Sequence, residues 1–355
     1  MDTKDEKYHL RTLQLALNGL GRVAPNPMVG SVIVLDNKII GEGYHQHFGG
    51  PHAEVNAIAS VKDEKLLRKA TLYVNLEPCA HYGKTPPCAE LIIKKQIPNV
   101  VIGQLDPFPA VSGKGLQMLI DAGINAVVGE HVDQCRFLNR RFLTFHEKKR
   151  PFFILKWAQT IDGFIDIVRN HNSPQAPNWI TDEHTRILVH KWRSEEQAIL
   201  IGTNTALFDN PRLNTRDFYG KNPIRLVLDR QLRLPKTLHV FDKSVKTFIF
   251  TEKQKKSEEN LEYIQIDFSK LLYELSTFCY ERQIQSVIVE GGARLLNTFI
   301  QQNLWDEARV FIGNTSFGKG IAAPSMNSMP VSSENLPNSM LKIWHKHPAA
   351  FNIDK

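Results

Sequence analysis

Strand-like and helix-like segments alternate along almost the whole chain of 355 residues, and this alternation limits the fold more than any other feature. In the first half, apolar residues recur at helical spacing in five segments: residues 7–18, 53–61, 88–95, 115–123 and 132–147. Between them lie short apolar runs typical of strands: residues 28–35, 38–44, 71–76, 100–103 and 126–129. This order predicts an α/β layer with helices on both faces of a sheet.

The alternation breaks once, at the charged segment Lys148–Pro151, and then starts again. The second half has strand-like runs at residues 152–157, 197–202, 224–228, 246–250, 286–290 and 307–313. Its helix-like segments are residues 182–193, 268–281 and 293–301. A chain of this length exceeds one ordinary core. We therefore predict two α/β domains, residues 1–148 and 149–355.

The formal net charge of +7 is spread along the chain, with an excess of four positive residues in 1–150 and three in the remainder. A nucleic-acid-binding protein usually concentrates its basic residues on one face, so we predict no nucleic-acid partner and favour a small anionic substrate. No run of about 18 apolar residues exists, so no membrane span is expected. The charged N-terminal sequence lacks the pattern of a signal peptide, which predicts a cytoplasmic protein.

The motif with the most specific chemistry combines His52 and Glu54 with Cys79 and Cys88, each cysteine following a proline. Zinc prefers nitrogen and thiolate ligands, and a catalytic zinc site keeps three protein ligands and one open position. His52, Cys79 and Cys88 supply these three ligands. A structural site closed by His81 is the alternative. Cys88 begins a predicted helix, whose positive end should favour its ionisation.

Glu54 lies two residues after His52, at the start of a predicted helix, and can reach the open position. Zinc lowers the pKa of a bound water from about 16 towards about 7. A Glu54 that is not a ligand can take the water proton and deliver it to a departing amine. The order H-x-E and P-C-x-x-C is a signature of nucleobase deaminases, although here eight residues separate the cysteines. The motif therefore predicts a hydrolytic deaminase.

The residues between the cysteines indicate a closer resemblance. The stretch EPCAHYGKTPPC, with PNPMVG at 25–30 and LDP at 105–107, closely resembles the deaminase domain of the bifunctional riboflavin-biosynthesis deaminase/reductases. The resemblance covers essentially the whole chain. It implies a cytidine-deaminase-like three-layer α/β/α domain followed by a dihydrofolate-reductase-like α/β domain. It also implies deamination of a phosphoribosylated diaminopyrimidine and then reduction of its ribose by NADPH.

In the first domain, the resemblance implies three substrate contacts. Asn26 would contact the pyrimidine, Lys84 the phosphate or the ring, and Asp106 the substrate beyond a strand. Phe108 stands where the family usually has Asn, so a polar contact is expected to be missing there.

The second half carries the motifs KWA at 156–158, WIT at 179–181, GTNT at 202–205, DNPRL at 209–213 and VEGGARL at 289–295. These resemble the reductase domain of the same family. The coenzyme contacts that this implies are Ala158, Trp179, Thr205, Asp209, Gly292, Ala293, Arg294, Leu295, Leu296, Asn297 and Thr298. The implied substrate contacts are Lys156, Arg193, Leu213, Arg216 and Glu290. Because a guanidinium binds phosphate bidentately, Arg193 and Arg216 are candidates for clamping the ribose phosphate.

Three points stay open in the second domain. Lys156, Asp209 and Glu290 are all candidate donors of the proton that the ribose ring oxygen needs when hydride reaches C1. The loop before Trp179 is longer than in the family and has Pro177 where Ser is usual. Arg230, where a smaller hydroxyl residue is common, is a candidate contact to the 2′-phosphate of NADPH.

These expectations combine into one hypothesis: a bifunctional riboflavin-biosynthesis enzyme that uses Zn²⁺ and NADPH, acts on a small phosphoribosylated pyrimidine and forms a homo-oligomer. Two alternatives remain at this point. A deaminase of bases in nucleic acid would need clustered basic and aromatic residues around the zinc. A zinc-stabilised binding protein would have no activity for Glu54 to support.

Overall fold

A computed structural model describes residues 3–82, 86–107, 112–129, 131–169, 173 and 175–346. By its internal contacts the chain divides into two compact units, with the division between Lys148 and Lys149. Both units are α/β layers. Within the described residues, no helix is long and apolar enough to cross a membrane.

The first unit contains six α-helices and five strands among its described residues. Its helices are α1 (Thr3–Leu17), α2 (Ala53–Ser60), α3 (Cys88–Lys94), α4 (Lys114–Asp121), α5 (Val132–Leu138) and α6 (Arg140–Lys148). Its strands are β1 (Gly30–Leu35), β2 (Lys38–Tyr44), β3 (Thr71–Val74), β4 (Asn99–Ile102) and β5 (Asn125–Val128). They form one sheet in the order β2-β1-β3-β4-β5, in which β3, β4 and β5 are parallel.

Side-chain alternation along the central strands divides the core of this unit into two layers. Leu72 of β3 packs with residues of α2, α3 and α4, whereas its neighbour Tyr73 packs with residues of α1. Val100 and Val101 of β4 divide in the same way. Because successive side chains of a strand point to opposite faces, this pattern places helices on both sides of the sheet. The predicted three-layer α/β/α arrangement follows.

The prediction of a single helix over 132–147 is wrong. The structure has two helices there, α5 and α6, which meet at Asn139. The Asn139 side chain accepts a hydrogen bond from the Met28 backbone N–H and donates one to the Met28 carbonyl oxygen. This pair of bonds fixes the loop that precedes β1, which a regular helical residue facing solvent could not do. The helical periodicity of the sequence continues through Asn139, so the periodicity does not reveal the break between the two helices.

The second unit is built on a sheet of nine strands. The described strands of the unit, which include two outside this sheet, are β6 (Phe152–Thr160), β7 (Phe164–Asp166), β8 (Ala198–Ile201), β9 (Ile224–Leu228), β10 (Thr247–Thr251), β11 (Leu261–Gln265), β12 (Ser286–Val289), β13 (Glu307–Gly313), β14 (Ile321–Ala322), β15 (Ser332–Leu336) and β16 (Ser339–His345). The helices are α7 (Glu183–Glu195), α8 (Thr203–Asp209), α9 (Leu271–Glu281) and α10 (Ala293–Gln301). The sheet order is β11-β10-β9-β8-β12-β6-β13-β16-β15, and β7 pairs separately with β14.

Neighbouring strands from β11 to β13 are parallel, and only β16 and β15 run antiparallel to their neighbours. Residues of α9 and α10 pack on one face of the sheet. Residues of α7 and α8 pack on the other. The carboxyl ends of β8 and β12 therefore lie side by side and next to the middle of β6, and such carboxyl ends are where parallel α/β sheets bind ligands.

Several elements of the second unit lie outside the predicted ones. Helix α8 is short, and the strands β15 and β16 carry polar residues, such as Glu334 and Lys342, that conceal strand periodicity. The predicted helix over 268–281 begins with a 3₁₀ turn, and its α-helical part starts at Leu271. The segment 253–260 is exposed, as predicted for a surface loop.

Candidate active sites

Three side chains converge at the start of two helices in the first unit. His52 is the residue before α2, Cys88 is the first residue of α3, and Cys79 lies in the loop after β3. His52 Nδ1 is 3.3 Å from Cys88 Sγ and 3.6 Å from Cys79 Sγ. The three potential ligand atoms all lie within 4.8 Å of one another.

These distances fit a zinc ion. With Zn–N bonds of about 2.1 Å and Zn–S bonds of about 2.3 Å, a tetrahedral ion separates its nitrogen and sulfur ligands by about 3.6 Å. His81 is exposed, and in the described part of the chain the potential ligand group contains only the three residues named above. The arrangement therefore leaves a fourth position for water rather than closing the site.

Glu54 faces the same ligand group from the first turn of α2. It is 3% exposed and contacts the Cys88 thiol. Burial, together with the charge of Cys79, raises the pKa of Glu54 to about 7. A buried carboxyl beside the open position, with no ion pair to any of the described residues, can exchange a proton.

The ionisation of Cys88 by the helix end stays a prediction for the zinc-bound site. The Cys88 backbone N–H at the start of α3 donates to the sulfur of Cys79, at 3.3 Å. Hydrogen bonds from Cys88 and His52 lower the pKa of Cys79 to about 4, whereas the pKa of Cys88 is raised by the neighbouring Cys79 and by burial. Without a metal, the helix end therefore stabilises the thiolate of the preceding loop.

Asn26, the predicted pyrimidine contact, is held beside the ligand group by His45. Asn26 Nδ2 lies 3.1 Å from His45 Nε2, and His45 Nδ1 lies 2.9 Å from the carbonyl oxygen of Pro51. The His45 ring is buried and packs edge-on against His52, with centroids 5.5 Å apart. His45 therefore orients Asn26, a role that its position in the sequence did not reveal.

Glu77 is the functional residue of this unit that sequence reasoning missed. Its carboxylate accepts backbone N–H bonds from Asp106, Gly113, Gly115 and Leu116, at 2.8–3.1 Å. These bonds fix the loop after β4 and the start of α4 to the strand that leads into Cys79. The backbone of the predicted contact Asp106 is thereby attached to Glu77, two residues before Cys79.

Two residues of the predicted substrate site lie outside the described part of the chain. They are Lys84, the proposed phosphate or ring contact, and Phe108, which replaces the usual Asn.

In the second unit, Arg193, Glu290 and Lys156 form a buried charge cluster. Arg193 donates to both carboxylate oxygens of Glu290, at 2.9 and 3.3 Å, and Lys156 Nζ is 3.7 Å from the same carboxylate. Burial alone would raise the pKa of Glu290, but Arg193 and Lys156 outweigh it and lower the pKa to about 2. Burial lowers the pKa of Lys156. The cluster joins the last turn of α7 to the middle of β6 and the end of β12.

Arg216 is the more open of the two predicted phosphate ligands. Its side chain is 41% exposed, whereas that of Arg193 is 10% exposed and engaged by Glu290. Arg193 Nη1 also donates to the carbonyl oxygen of Asn214 at 3.3 Å. Arg193 therefore binds the backbone two residues before Arg216.

The predicted coenzyme residues Thr205 and Gly292 are neighbours in the structure. A Cβ added to Gly292 would lie 3.6 Å from the Thr205 hydroxyl. Gly292 precedes α10, whose hydrogen bonding begins with the N–H groups of Leu295 and Leu296. The N–H groups of Ala293 and Arg294 precede those bonds and suit a phosphate group.

The rest of the predicted run 292–298 is less accessible to a ligand through its side chains. Leu295 and Leu296 are buried in the core. The Thr298 hydroxyl donates to the carbonyl oxygen of Arg294 within α10. Asn297 lies in the second turn. The groups here that could hold the coenzyme phosphates are the backbone N–H groups at the start of the helix and the exposed Arg294 side chain.

Asp209, another predicted coenzyme contact, is paired with Arg169 at 3.0 Å. The Arg169 side chain is 4% exposed and also pairs with Asp166 at 2.8 Å, and it donates to the carbonyl oxygens of Ala176 and Phe208. Burial raises the pKa of Asp209 to about 6. Arg169 therefore ties the long loop before Trp179 to the end of α8, although sequence reasoning gave it no role.

The remaining predicted positions differ in exposure. Trp179 is 58% exposed, with the Arg186 guanidinium 5.7 Å from its ring. Ala158 is partly buried on β6, and Leu213 is buried in the core with φ of 55°. Arg230 is exposed and pairs with Glu252 at 2.9 Å. Of these four residues, Trp179 and Arg230 are the ones with exposed side chains that a coenzyme could contact.

Both halves of the chain match known protein families. Residues 2–104 match the family model "Cytidine and deoxycytidylate deaminase zinc-binding region", and residues 151–345 match "RibD C-terminal domain". The riboflavin biosynthesis protein RibD of Aquifex aeolicus is 37% identical over 328 residues, covering 90% of this chain and 89% of that protein. The chain belongs to the RibD family.

Other RibD proteins show the same extent of similarity. RibD of Synechocystis sp. is 39% identical over 329 residues, covering 90% of this chain and 87% of that protein. The crystal structure of a diaminohydroxyphosphoribosylaminopyrimidine deaminase/5-amino-6-(5-phosphoribosylamino)uracil reductase from Thermotoga maritima superposes with a TM-score of 0.86. It is 39% identical and covers 96% of this chain and 98% of that chain. RibD of Acinetobacter baumannii gives the same TM-score at 33% identity.

Membership of the RibD family confirms the predicted fold class and the predicted activities. The protein is a bifunctional deaminase and reductase of riboflavin biosynthesis, with zinc and NADPH as its cofactors, and it acts on a small pyrimidine. The alternative of a nucleic-acid base deaminase is not supported, and neither is that of an inactive zinc-binding protein.

Proposed function

We propose that residues 1–148 deaminate 2,5-diamino-6-(5-phosphoribosylamino)pyrimidin-4-one and that residues 149–355 reduce the resulting aminouracil. The Thermotoga maritima relative carries both activities in its name, which supports this substrate for the present chain. The observation that carries the proposal is the convergence of His52, Cys79 and Cys88 beside buried Glu54. Such a donor set can bind zinc and leaves one coordination position for a water that the zinc would activate.

In the first step, His52, Cys79 and Cys88 would hold the zinc ion. Zinc, when bound, supplies a Lewis acid that makes a water acidic near neutral pH. Glu54 accepts a proton from the attacking water and delivers it to the departing amino group. Asn26, oriented by His45, holds the pyrimidine, and the loop of Asp106 covers it. Lys84 keeps its predicted role at the substrate phosphate or ring. Phe108 leaves out the polar contact that the usual Asn would make.

In the second step, NADPH supplies a hydride to ribose C1 when it is bound. The bond between C1 and the ring oxygen breaks, and that oxygen takes a proton. Among the three candidates, Lys156 suits the donor role best because burial lowers its pKa and its ammonium lies 3.7 Å from the carboxylate of Glu290. Glu290 is ionised and holds Lys156 and Arg193, and Asp209 is engaged by Arg169.

Ligand positions in the second site follow from the same contacts. Arg216 binds the 5-phosphate, Arg193 supports it, and Leu213 lines the substrate side. Ala158, Trp179 and Thr205 would hold the coenzyme, and the start of α10 would bind its phosphates. Arg230 faces the 2′-phosphate, for which it would exchange its pairing with Glu252. We also propose a homo-oligomer located in the cytoplasm, which light scattering and cell fractionation can test.

Zinc removal tests the proposal. The purified protein should contain about one zinc ion per chain, and on the diaminopyrimidine nucleotide it should release one ammonia for each NADPH oxidised. A chelator should abolish ammonia release and leave NADPH oxidation of the aminouracil intact. Full deaminase activity in zinc-free protein would contradict the proposal, and so would ammonia release without any NADPH oxidation.

A further inference from the structure

Helix α7 presents two side chains to the loop that carries Arg216. His190 and Arg193 are three residues apart, so they lie on the same face of the helix. His190 is 1% exposed, and its Nδ1 is 3.0 Å from the backbone nitrogen of Arg216 and 3.3 Å from that of Asp217. The loop is therefore attached to α7 through its backbone.

These contacts define the state of the His190 ring. A nitrogen that accepts two N–H bonds is not protonated, so the neutral ring carries its proton on Nε2. Nε2 lies 3.4 Å from the carboxylate of Asp217, and Arg186 Nε lies 2.8 Å from the same carboxylate. Burial and the charges of Arg193 and Arg216 lower the pKa of His190 to about 4, which keeps it neutral at neutral pH.

The neighbouring charges explain why such a support is needed. Burial lowers the pKa of Arg216, Asp217 opposes this, and the charges of Arg193, Arg186 and Arg212 lower the pKa further. Several guanidinium groups therefore lie close together. Like charges at this distance repel one another in the absence of an anion. A phosphate binds more tightly when its ligands are already held in place.

We propose that His190 is a positioning residue for phosphate recognition in the reductase site, holding the backbone of Arg216 so that its side chain meets the substrate phosphate. The inference rests on the proposed function, in which Arg216 binds that phosphate. His190 itself touches neither substrate nor coenzyme. Its function lies in the acceptor at Nδ1 and not in its charge.

Two substitutions separate the two ring nitrogens. In His190→Asn the side-chain oxygen can take the place of Nδ1, and in His190→Gln the side-chain amide reaches only the place of Nε2. The readout is the KM for 5-amino-6-(5-phosphoribosylamino)uracil and for its dephosphorylated riboside, measured by NADPH oxidation. Arg216→Ala serves as the reference for loss of the phosphate contact.

We expect His190→Gln to raise the KM for the phosphorylated substrate about tenfold, the value of one charge-assisted hydrogen bond, and to leave the KM for the riboside within about twofold. His190→Asn should restore most of the discrimination. The KM for NADPH and the thermal midpoint of each variant report whether the domain is intact.

Three results would overturn parts of this account. Equal losses on both substrates in both variants would make His190 a structural residue only. Unchanged discrimination in His190→Gln, with discrimination lost in Arg216→Ala, would reject the inference and keep the phosphate site. Unchanged discrimination in Arg216→Ala would reject the proposed phosphate site itself.

Discussion

The two active sites of this chain solve different physical problems. The deaminase site gathers an imidazole, two sulfurs and one buried carboxyl from a short stretch, residues 52–88, at the starts of two helices. The reductase site buries full charges, and its central pair, Lys156 and Glu290, come from strands far apart in the chain. The first site depends on a metal for its chemistry, whereas the second depends on side-chain charges that must compensate one another.

The largest effect should come from the proton carrier of the first site. Glu54→Gln should lower the rate of ammonia release by about 10²–10⁴-fold, the usual range for removing a general acid–base. Zinc content, measured by atomic absorption, should stay at the wild-type level because Glu54 is not a ligand. Glu64→Gln, at an exposed side chain of the same domain, is the matched control. Loss of zinc in Glu54→Gln would make Glu54 a structural residue.

A corresponding substitution tests the second site. Lys156→Met keeps the volume of the buried stem and removes the proton donor, so NADPH oxidation on the aminouracil should fall by about 10²-fold or more. Ammonia release from the diaminopyrimidine should not change. Lys191→Met, at an exposed side chain of α7, is the control. Near-normal NADPH oxidation in Lys156→Met would return the donor role to Asp209.

Acid should distinguish the sites through Glu290. Its pKa is lowered from 4.5 to about 2, so its ion pairs stabilise the fold above pH 4.5 and are lost as the pH falls towards 2. The full contribution is about 3 kcal/mol. Glu290→Gln should therefore be less stable than wild type at pH 6, and the gap should narrow below pH 4.5.

All five tryptophans lie in residues 149–355, so urea unfolding followed by tryptophan fluorescence reports this domain alone. Glu258→Gln, which disrupts an exposed pair with Lys243, is the control and should show no gap. A gap for Glu290→Gln that does not depend on pH would contradict the assigned ionisation.

A smaller effect is expected from Glu77. Glu77→Gln keeps one carbonyl oxygen for four backbone N–H groups and turns an amide towards the others. Leaving buried donors unpaired should lower the free energy of unfolding by about 2 kcal/mol. Zinc release during urea unfolding follows this domain specifically. An unchanged midpoint would show that water replaces the carboxylate.

Much of the deaminase site could be predicted because its chemistry lies in short motifs. His52 precedes α2 and Cys88 begins α3, so local helix signals place both ligands correctly. Glu77 stands in the same motif, yet its four partners come from residues 106–116. Their approach depends on β4 pairing with β3, which no local pattern specifies.

The reductase site was less predictable for the same reason. Arg193 and Arg216 were predicted as substrate contacts from the family resemblance, and the chemistry of the guanidinium group made them candidates for binding the phosphate. That Glu290 already engages Arg193 follows only from the position of β12 in the sheet. Arg169 lies in a loop without periodicity, and its partner Asp209 ends a helix too short to predict. Strands β15 and β16 were missed because their alternation is polar.

The most direct test of two separate sites acting in order uses Glu54→Gln with each substrate in turn. On 5-amino-6-(5-phosphoribosylamino)uracil, this variant should oxidise NADPH at the wild-type rate. On the diaminopyrimidine nucleotide, it should release no ammonia and oxidise no NADPH. Oxidation of NADPH on the diaminopyrimidine at the wild-type rate would contradict the account, because reduction would then not require prior deamination.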